Sequence, residues 1–268
     1  MIITHPGRAH RDEFIAICIW MAIHGLQPVF RREPSAEELN DPKIAVFDVG
    51  GKHEPDKWNF DHHQESGMDC ALVLMLKHLE LFESAREVFP WVDATNAMDT
   101  TGPFAVAKSL GISADALFSL LSPIEEGILK MFEENECVDM HIGVLMADLG
   151  HRMFGQIRFF QKRMAELEEN VVSINVKGLV GTFSTISDRP TECMDAFQKA
   201  FYPSAAFSVS PRGKGWAIYR IGDHPGINFF RVANHPSVEF AHPNGFIAKT
   251  KTRLNLHEVE KLVEGAII

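Results

Sequence analysis

The sequence predicts an α/β protein in two parts: a parallel-sheet domain over residues 1–170 that ends in a helical connector, and a smaller α/β domain over 171–268. Three observations predict it. The first fifty residues alternate short apolar runs with a helix-length apolar segment, the order that builds parallel sheets. From Phe104 to Asn170 charged and apolar residues recur three and four apart. Near Val171 the composition turns to β-rich runs separated by turn residues.

Met1-Ile2-Ile3-Thr4 reads as a buried strand stopped by Pro6 and Gly7. A helix is expected to open near Asp12, run through Phe14–Ala22 and end at Gly25. Gln27 to Phe30 returns as a strand, Ser35 to Leu39 as a weak helical turn, and Ile44 to Phe47 as a second buried strand ending at Asp48 and Gly50-Gly51. Residues 71–76 belong on a helix, and Val92 to Asp99 ends abruptly at Gly102-Pro103. Beyond Val171, β-runs are expected at 178–183, 205–209, 216–221 and 227–232, with helices at 192–201 and 256–267.

The chain of 268 residues is 46% hydrophobic and 23% charged, the balance of a globular protein with a sizeable core. Its net charge of -10 argues against a broad basic face for long duplex DNA. A short phosphate substrate stays open, since bound metals reverse the local sign. Cys18, Cys70, Cys137 and Cys193 are widely spaced and form no Cys-x-x-Cys pair, so reduced thiols are expected. The longest apolar run, Phe14 to Ile23, is roughly half a membrane span, and no signal-peptide pattern precedes it. A cytoplasmic protein without a membrane partner is expected.

Chemistry gathers at the ends of the apolar runs. His5, His10 and Asp12 share one loop, Asp48 closes the next run, Asp61-His62-His63 follows Trp58-Asn59-Phe60, and Asp99 ends a fourth element. Three consecutive ionisable groups after a strand are expensive to bury without partners. Singly, each residue has a plainer account: Asp12 as a helix cap, Asp48 as a turn residue, His5 as a loop histidine. Jointly placed at successive strand ends, they are read as a cage for two divalent cations. Mixed imidazole and carboxylate donors suit Mn, Fe, Co or Zn better than Mg.

These motifs carry a resemblance. Thr4–Glu13, Val46–Gly51, Phe60–Gln64 and Phe240–Ile247 together resemble the MYG family of the DHH phosphoesterase superfamily. The resemblance implies a DHH-type domain followed by a substrate-binding domain, and a two-metal phosphohydrolase, manganese foremost. By position, His5, His10 and Asp48 would hold one ion, and Asp12, Asp48, His62 and Asp99 the other, with Asp48 bridging. Asp61 would orient His62, and His63 would face the substrate phosphate. His242 and the Gly245 backbone match a substrate-contacting loop, and Arg231 is the cation expected to serve the same substrate. The fourth motif departs from the family's usual Asp-x-x-Asp-Asn-Gly: Asn96 replaces its first carboxylate, which leaves Asp93 as a rival to Asp99. Pro6 and Arg8 stand where Asn and Thr are more usual.

The implied activity is hydrolysis of phosphodiesters in short oligonucleotides or nucleotides. A phosphoanhydride hydrolase using Lys214, Arg220, Arg231, Lys249 and Lys251, or a metal-binding regulatory protein without turnover, are the alternatives. Oligomeric state is not readable from sequence.

Overall fold

A computed structural model describes residues 1–268, which divide into two compact units, Met1–Phe159 and Phe160–Ile268. In the first, β1 (Ile2–Thr4) leads into α1 (Arg11–His24), β2 (Val29–Arg31) and β3 (Ala45–Phe47). The hairpin β4 (His53–Glu54) and β5 (Asn59–Phe60) completes a sheet of order β2-β1-β3-β5-β4. β1, β2, β3 and β5 are parallel, while β4 runs antiparallel to β5, a strand absent from the sequence expectation. Because β1 is flanked by both β2 and β3, the chain reverses its direction of travel across the sheet between β1 and β3. Crevices at such reversals, outside the strand carboxyl ends, are where α/β proteins place ligands.

Successive side chains of β1 and β3 enter two different clusters, as the period of two requires. Ile2 and Phe47 join the main core with α1 and α2 (Ala71–His78), whereas Ile3 and Val46 meet Leu39 and Val49. The remaining helices of this unit are α3 (Phe82–Val88), α4 (Trp91–Thr100), α5 (Pro103–Ser109), α6 (Ala114–Ser119) and α7 (Pro123–Glu133). Next comes α8 (Met140–Asn170). α1 is apolar around most of its circumference because helices pack on it as well as the sheet. At Gly150 of α8 an added Cβ would lie 1.7 Å from the Cys18 carbonyl oxygen, so only glycine permits this approach of the two helices.

The division between units falls inside α8, ahead of the expected boundary at Val171. The last turns of that helix belong to the second unit: Leu167 and Met164 pack with Val171 and Phe197. The second unit contains β6 (Val171–Val176), β7 (Leu179–Ser184), α9 (Met194–Phe201), β8 (Phe207–Arg212) and β9 (Gly215–Arg220). It ends with β10 (Val238–Ala241), β11 (Ile247–Thr250) and α10 (Leu256–Ala266). Its sheet has order β10-β11-β9-β8-β7-β6, antiparallel except between β7 and β8.

The β-run expected at 227–232 is instead a 3-10 turn, Phe229–Val232. Its apolar residues Phe229 and Val232 are three apart and both buried, a spacing that serves a helical turn. β6, β10 and β11 lay outside the expected runs. No helix is long and apolar enough to cross a membrane.

Candidate metal centre

Three strand ends and two helices deliver the titratable side chains. β1 is followed at once by His5, β3 by Asp48 and β5 by Asp61-His62-His63; α1 begins at Arg11 with His10 as its cap and Asp12 in its first turn; Asp99 sits in the last turn of α4. His10, where Asp12 was the expected cap, occupies the capping position because its backbone N–H donates to Glu13 Oε1 at 2.8 Å.

Asp48 is at the centre, with its side chain 1% exposed. Its Oδ2 lies 3.5 Å from His5 Nε2 and 4.0 Å from His10 Nδ1, and its Oδ1 lies 3.1 Å from His62 Nε2. Asp99 faces the same space, 3.0 Å from His62 Nε2 and 3.5 Å from His10 Nδ1. Asp48 has φ of 58°, in the left-handed region that Asp tolerates better than most residues. Gly50 follows at φ 91°, where an added Cβ would lie 2.9 Å from both Leu39 Cδ2 and Pro34 Cγ. The turn after β3 is thereby bent sharply enough to carry Asp48 into the cluster.

Asp12 is fully buried, and neither of its carboxylate oxygens has a hydrogen-bond partner. Burial, then Asp48, Glu13 and Asp99, push its pKa well above the usual carboxylate range. Glu13 Oε2, Asp48 Oδ1, Asp99 Oδ2, His5 Nε2 and His62 Nε2 are likewise buried without a well-directed hydrogen bond. Orphaned polar atoms of this kind are rare, and here they converge. His5 donates from Nδ1 to the Pro6 carbonyl at 2.7 Å, which leaves Nε2 with its lone pair facing Asp48 and Glu13. Burial pulls its pKa down, but the Glu13 and Asp48 carboxylates and the Pro6 carbonyl outweigh it, so the net movement is upward. His62 is held up at about 10, chiefly by Asp48 and Asp99.

Three groups of donors have atoms within 4.8 Å of one another and suit a metal ion: His5, His10, Glu13 and Asp48; Asp48, His62 and His63; His10, Asp12 and Asp99. Asp48 belongs to two groups, as does His10. Asp93 is outside: it pairs with Arg86 at 2.9 Å on the surface. Asn96 is also engaged elsewhere. Its Oδ1 accepts from the Cys70 N–H at 2.7 Å and its Nδ2 donates to Asp69 at 2.8 Å, which ties α4 to the start of α2.

One expected contact is corrected. Asp61 does not brace His62; its Oδ1 accepts from His63 Nδ1 at 2.7 Å and from the His63 backbone N–H at 3.1 Å. Its Oδ2 takes the Gly51 N–H at 2.6 Å. The reversal after β5 brings the second histidine, not the first, over the aspartate. Burial would raise the Asp61 pKa, but His63 and Gly51 outweigh it and lower it. His63 is 61% exposed on the rim of a hollow of about 770 Å³ lined by His5, His10, Asp48, Gly50, Asp61 and Gln64, among others.

Two participants were missed in the sequence. Glu13 is fully buried with Oε1 3.1 Å from His5 Nε2, and Arg31 Nη1 lies 3.6 Å from the same oxygen. Arg31 Nη2 donates to the Gly7 carbonyl at 2.9 Å, tying β2 to the loop that carries His5 and His10. Burial lowers the Arg31 pKa, with Glu13 opposing it. The available signal was the spacing His10-x-x-Glu13 at a helix start, together with an arginine inside a strand. Arg11 faces a carboxylate rather than a substrate: its Nη2 donates to Glu125 Oε2 at 2.6 Å.

His242, Gly245 and Arg231 lie in the second unit. His242 and Gly245 form the β10–β11 turn, with the Gly245 N–H donating to the His242 carbonyl at 2.8 Å and the Gly245 carbonyl accepting from Phe229 at 2.9 Å. Arg231 is exposed on the adjoining 3-10 turn.

Residues 1–71 match the family model MYG1_exonuc, described as an uncharacterised protein family (UPF0160). This is the family that the motifs resemble, and the matched span holds every residue of the cluster except Asp99. No curated protein matches the chain. Among solved structures, it is similar to a pGpG-specific phosphodiesterase from Vibrio cholerae, at 11% identity over 97% of this chain and 96% of that one, with a TM-score of 0.29. It is similar to an uncharacterized protein from Helicobacter pylori, at 11% identity over 98% and 99%, with a TM-score of 0.28. A third is RecJ in complex with Mn2+ from Thermus thermophilus, at 10% identity over 98% of this chain and 51% of that one, with a TM-score of 0.29.

Proposed function

We propose that the chain is a phosphodiesterase dependent on two divalent cations, manganese first, that hydrolyses short oligonucleotides or nucleotide diesters. The supporting observation is Asp12: a carboxylate shut off from solvent with no well-directed hydrogen bond, packed among Asp48, Asp99 and Glu13. Such an arrangement costs several kcal/mol unless a cation satisfies it. The donor set fits that cation, because the buried orphan atoms are lone-pair atoms of imidazoles and carboxylates. His5, His10, Glu13 and Asp48 would hold one ion; Asp12, Asp48, His62 and Asp99 would hold the other, with Asp48 shared. Two ions bound in this way supply Lewis-acid polarisation of a phosphoryl group and an acidified water.

The chain's own residues supply the rest. Asp61 fixes His63 with the proton on Nδ1, so Nε2 is the ring nitrogen presented to a substrate oxygen. Protonated there, His63 stabilises charge on the phosphoryl group or donates to the leaving oxygen. Gly51 holds Asp61 in place, and the Arg31–Glu13 contact holds the loop of His5 and His10. His242, the Gly245 backbone and Arg231, all in the second unit, are proposed as substrate-binding residues.

Chelator-stripped protein reloaded with Mn2+, Mg2+ or Zn2+ tests this against bis-p-nitrophenyl phosphate, a labelled five-nucleotide strand and pyrophosphate. Diester hydrolysis is expected with Mn2+, none after stripping, and none for Asp48→Asn, which keeps the tolerance for positive φ. Phosphate release from pyrophosphate with both diesters intact would overturn the reading.

A further inference from the structure

The loop that carries His5 and His10 is held from outside by α7, a helix that offers the cluster no donor. Between the two histidines the backbone belongs to neither β1 nor α1, so its polar groups need partners from elsewhere. The Gly7 carbonyl accepts from Arg31, and the Ala9 N–H donates to Glu133 Oε2 at 2.8 Å. Ala9 is buried and directly precedes His10, whereas Glu133 comes 124 residues later as the last residue of α7. A carboxylate at a helix C-terminus opposes the helix dipole, so local helix physics gives no reason to place it there. The turn that carries it is well anchored. Phe132 is fully buried, edge-on to Phe14 of α1 at 5.2 Å, with the Arg31 guanidinium 4.4 Å from its ring centroid. Just past α7 the chain runs beside β2, where the Arg31 N–H donates to the Glu136 carbonyl at 2.7 Å and the Val138 N–H to the Val29 carbonyl at 3.0 Å. The Arg11–Glu125 pair also joins α7 to the first turn of α1, but its side chains are 30% and 34% exposed, and solvent weakens such a contact.

We infer that Glu133 is a positioning residue for the cation held by His5 and His10: its carboxylate takes the Ala9 N–H and so sets where the next residue, His10, carries its ring. This rests on the two-cation reading. His10 needs such help because its own side chain is 46% exposed, and its Nδ1 stands 3.5 Å from Asp99 and 4.0 Å from Asp48, too far for either to fix it. Its backbone must therefore do so. His62 is the contrast: 11% exposed and within 3.1 Å of both aspartates, it is held by its side chain. His62 follows β5 and Asp99 ends α4, so the hold from α7 bears on one ion and not on the other. What Glu133 supplies is an oxygen at the right reach rather than a charge.

Two substitutions separate reach from charge. Glu133→Asp keeps the charge and draws the oxygen back by one methylene, while Glu133→Gln removes the charge and keeps an oxygen at the same reach. Calorimetric titration of the chelator-stripped full chain with Mn2+ reads the ions, and hydrogen exchange of the Ala9 amide reads the hold on the loop without metal. Glu133→Asp is expected to weaken one Mn2+ by about ten- to hundred-fold, the scale on which supporting partners tune a metal site, and to leave the other at its wild-type affinity. Glu133→Gln should stay close to wild type at both. The Ala9 amide should be protected in wild type and Glu133→Gln and exchange faster in Glu133→Asp. In a His10→Ala background, Glu133→Asp should cost nothing further, because the ring it acts through is gone. Equal losses at both ions, or the same loss with and without His10, would make Glu133 a general prop of the fold and overturn the inference. Wild-type affinity in Glu133→Asp would overturn it too, as would a loss confined to Glu133→Gln. A wild-type chain that protects the Ala9 amide but binds no Mn2+ would instead sink the two-cation reading and leave the hold on the loop standing.

Discussion

His62 sits between two carboxylates. Its Nε2 lies between Asp48 and Asp99 at 3.1 and 3.0 Å, and these carboxylates hold its pKa up at about 10, against an ordinary value of 6.5. A folded-state pKa raised in this way contributes stability below the unfolded value that is lost as pH rises through about 10. At neutral pH the metal-free imidazole is therefore protonated on the atom that a metal must use. Loading an ion releases that proton, so apparent affinity should rise about tenfold per pH unit from this residue alone, or roughly a hundredfold between pH 6.5 and 8.5. Asp12, whose pKa is also raised, adds to the effect in the same direction. Isothermal titration of stripped protein with Mn2+ in two buffers of different ionisation enthalpy measures both the affinity and the protons released. His62→Asn should lower the release by about one proton per site. Affinity independent of pH, with heats independent of buffer, would refute the argument.

Two further substitutions probe how the cluster is built. Asp12→Asn keeps the shape and removes the buried ionisable group. Because the raised Asp12 pKa withdraws stability as pH climbs above the ordinary carboxylate range, the metal-free variant should melt higher at neutral pH. The gain is expected at about 1–3 kcal/mol, roughly 2–10 °C. It should also lose the stabilisation by Mn2+ seen in wild type, and a metal-free melting temperature below wild type by differential scanning fluorimetry would contradict this account. Gly50→Ala puts a side chain where φ is 91° and Leu39 and Pro34 stand 2.9 Å from the new Cβ. A loss of about 1–3 kcal/mol in urea unfolding is expected, with weaker metal binding because Asp48 shifts with the turn.

The donors were legible because each follows a short apolar run, and strand ends in a parallel sheet meet on one edge. His5, Asp48 and His62 needed only that rule. Asp99 was legible by motif but contested by Asp93, and helix geometry sends the two to different partners. Six residues apart on α4, the two lie well over a turn apart and on different faces, so one reaches the cluster and the other reaches Arg86. Asn96 shares the inner side with Asp99 but spends both ends of its amide on Cys70 and Asp69, a contact between elements that no local pattern announces.

Glu13 and Arg31 were illegible for a related reason. A glutamate in the first turn of a helix already has an ordinary role, and only the register of β2 beside β1 shows that an arginine lies buried across from it. The choice of histidine that Asp61 braces was settled by the chain reversal after β5, a backbone property invisible in the triplet itself. In the second unit, β10 and β11 escaped notice because a bulge breaks their alternation and puts Phe240 where a simple strand would place a polar residue. The site is therefore written in the sequence wherever a donor terminates an element. It is hidden wherever a side chain acts by reaching into a neighbouring one.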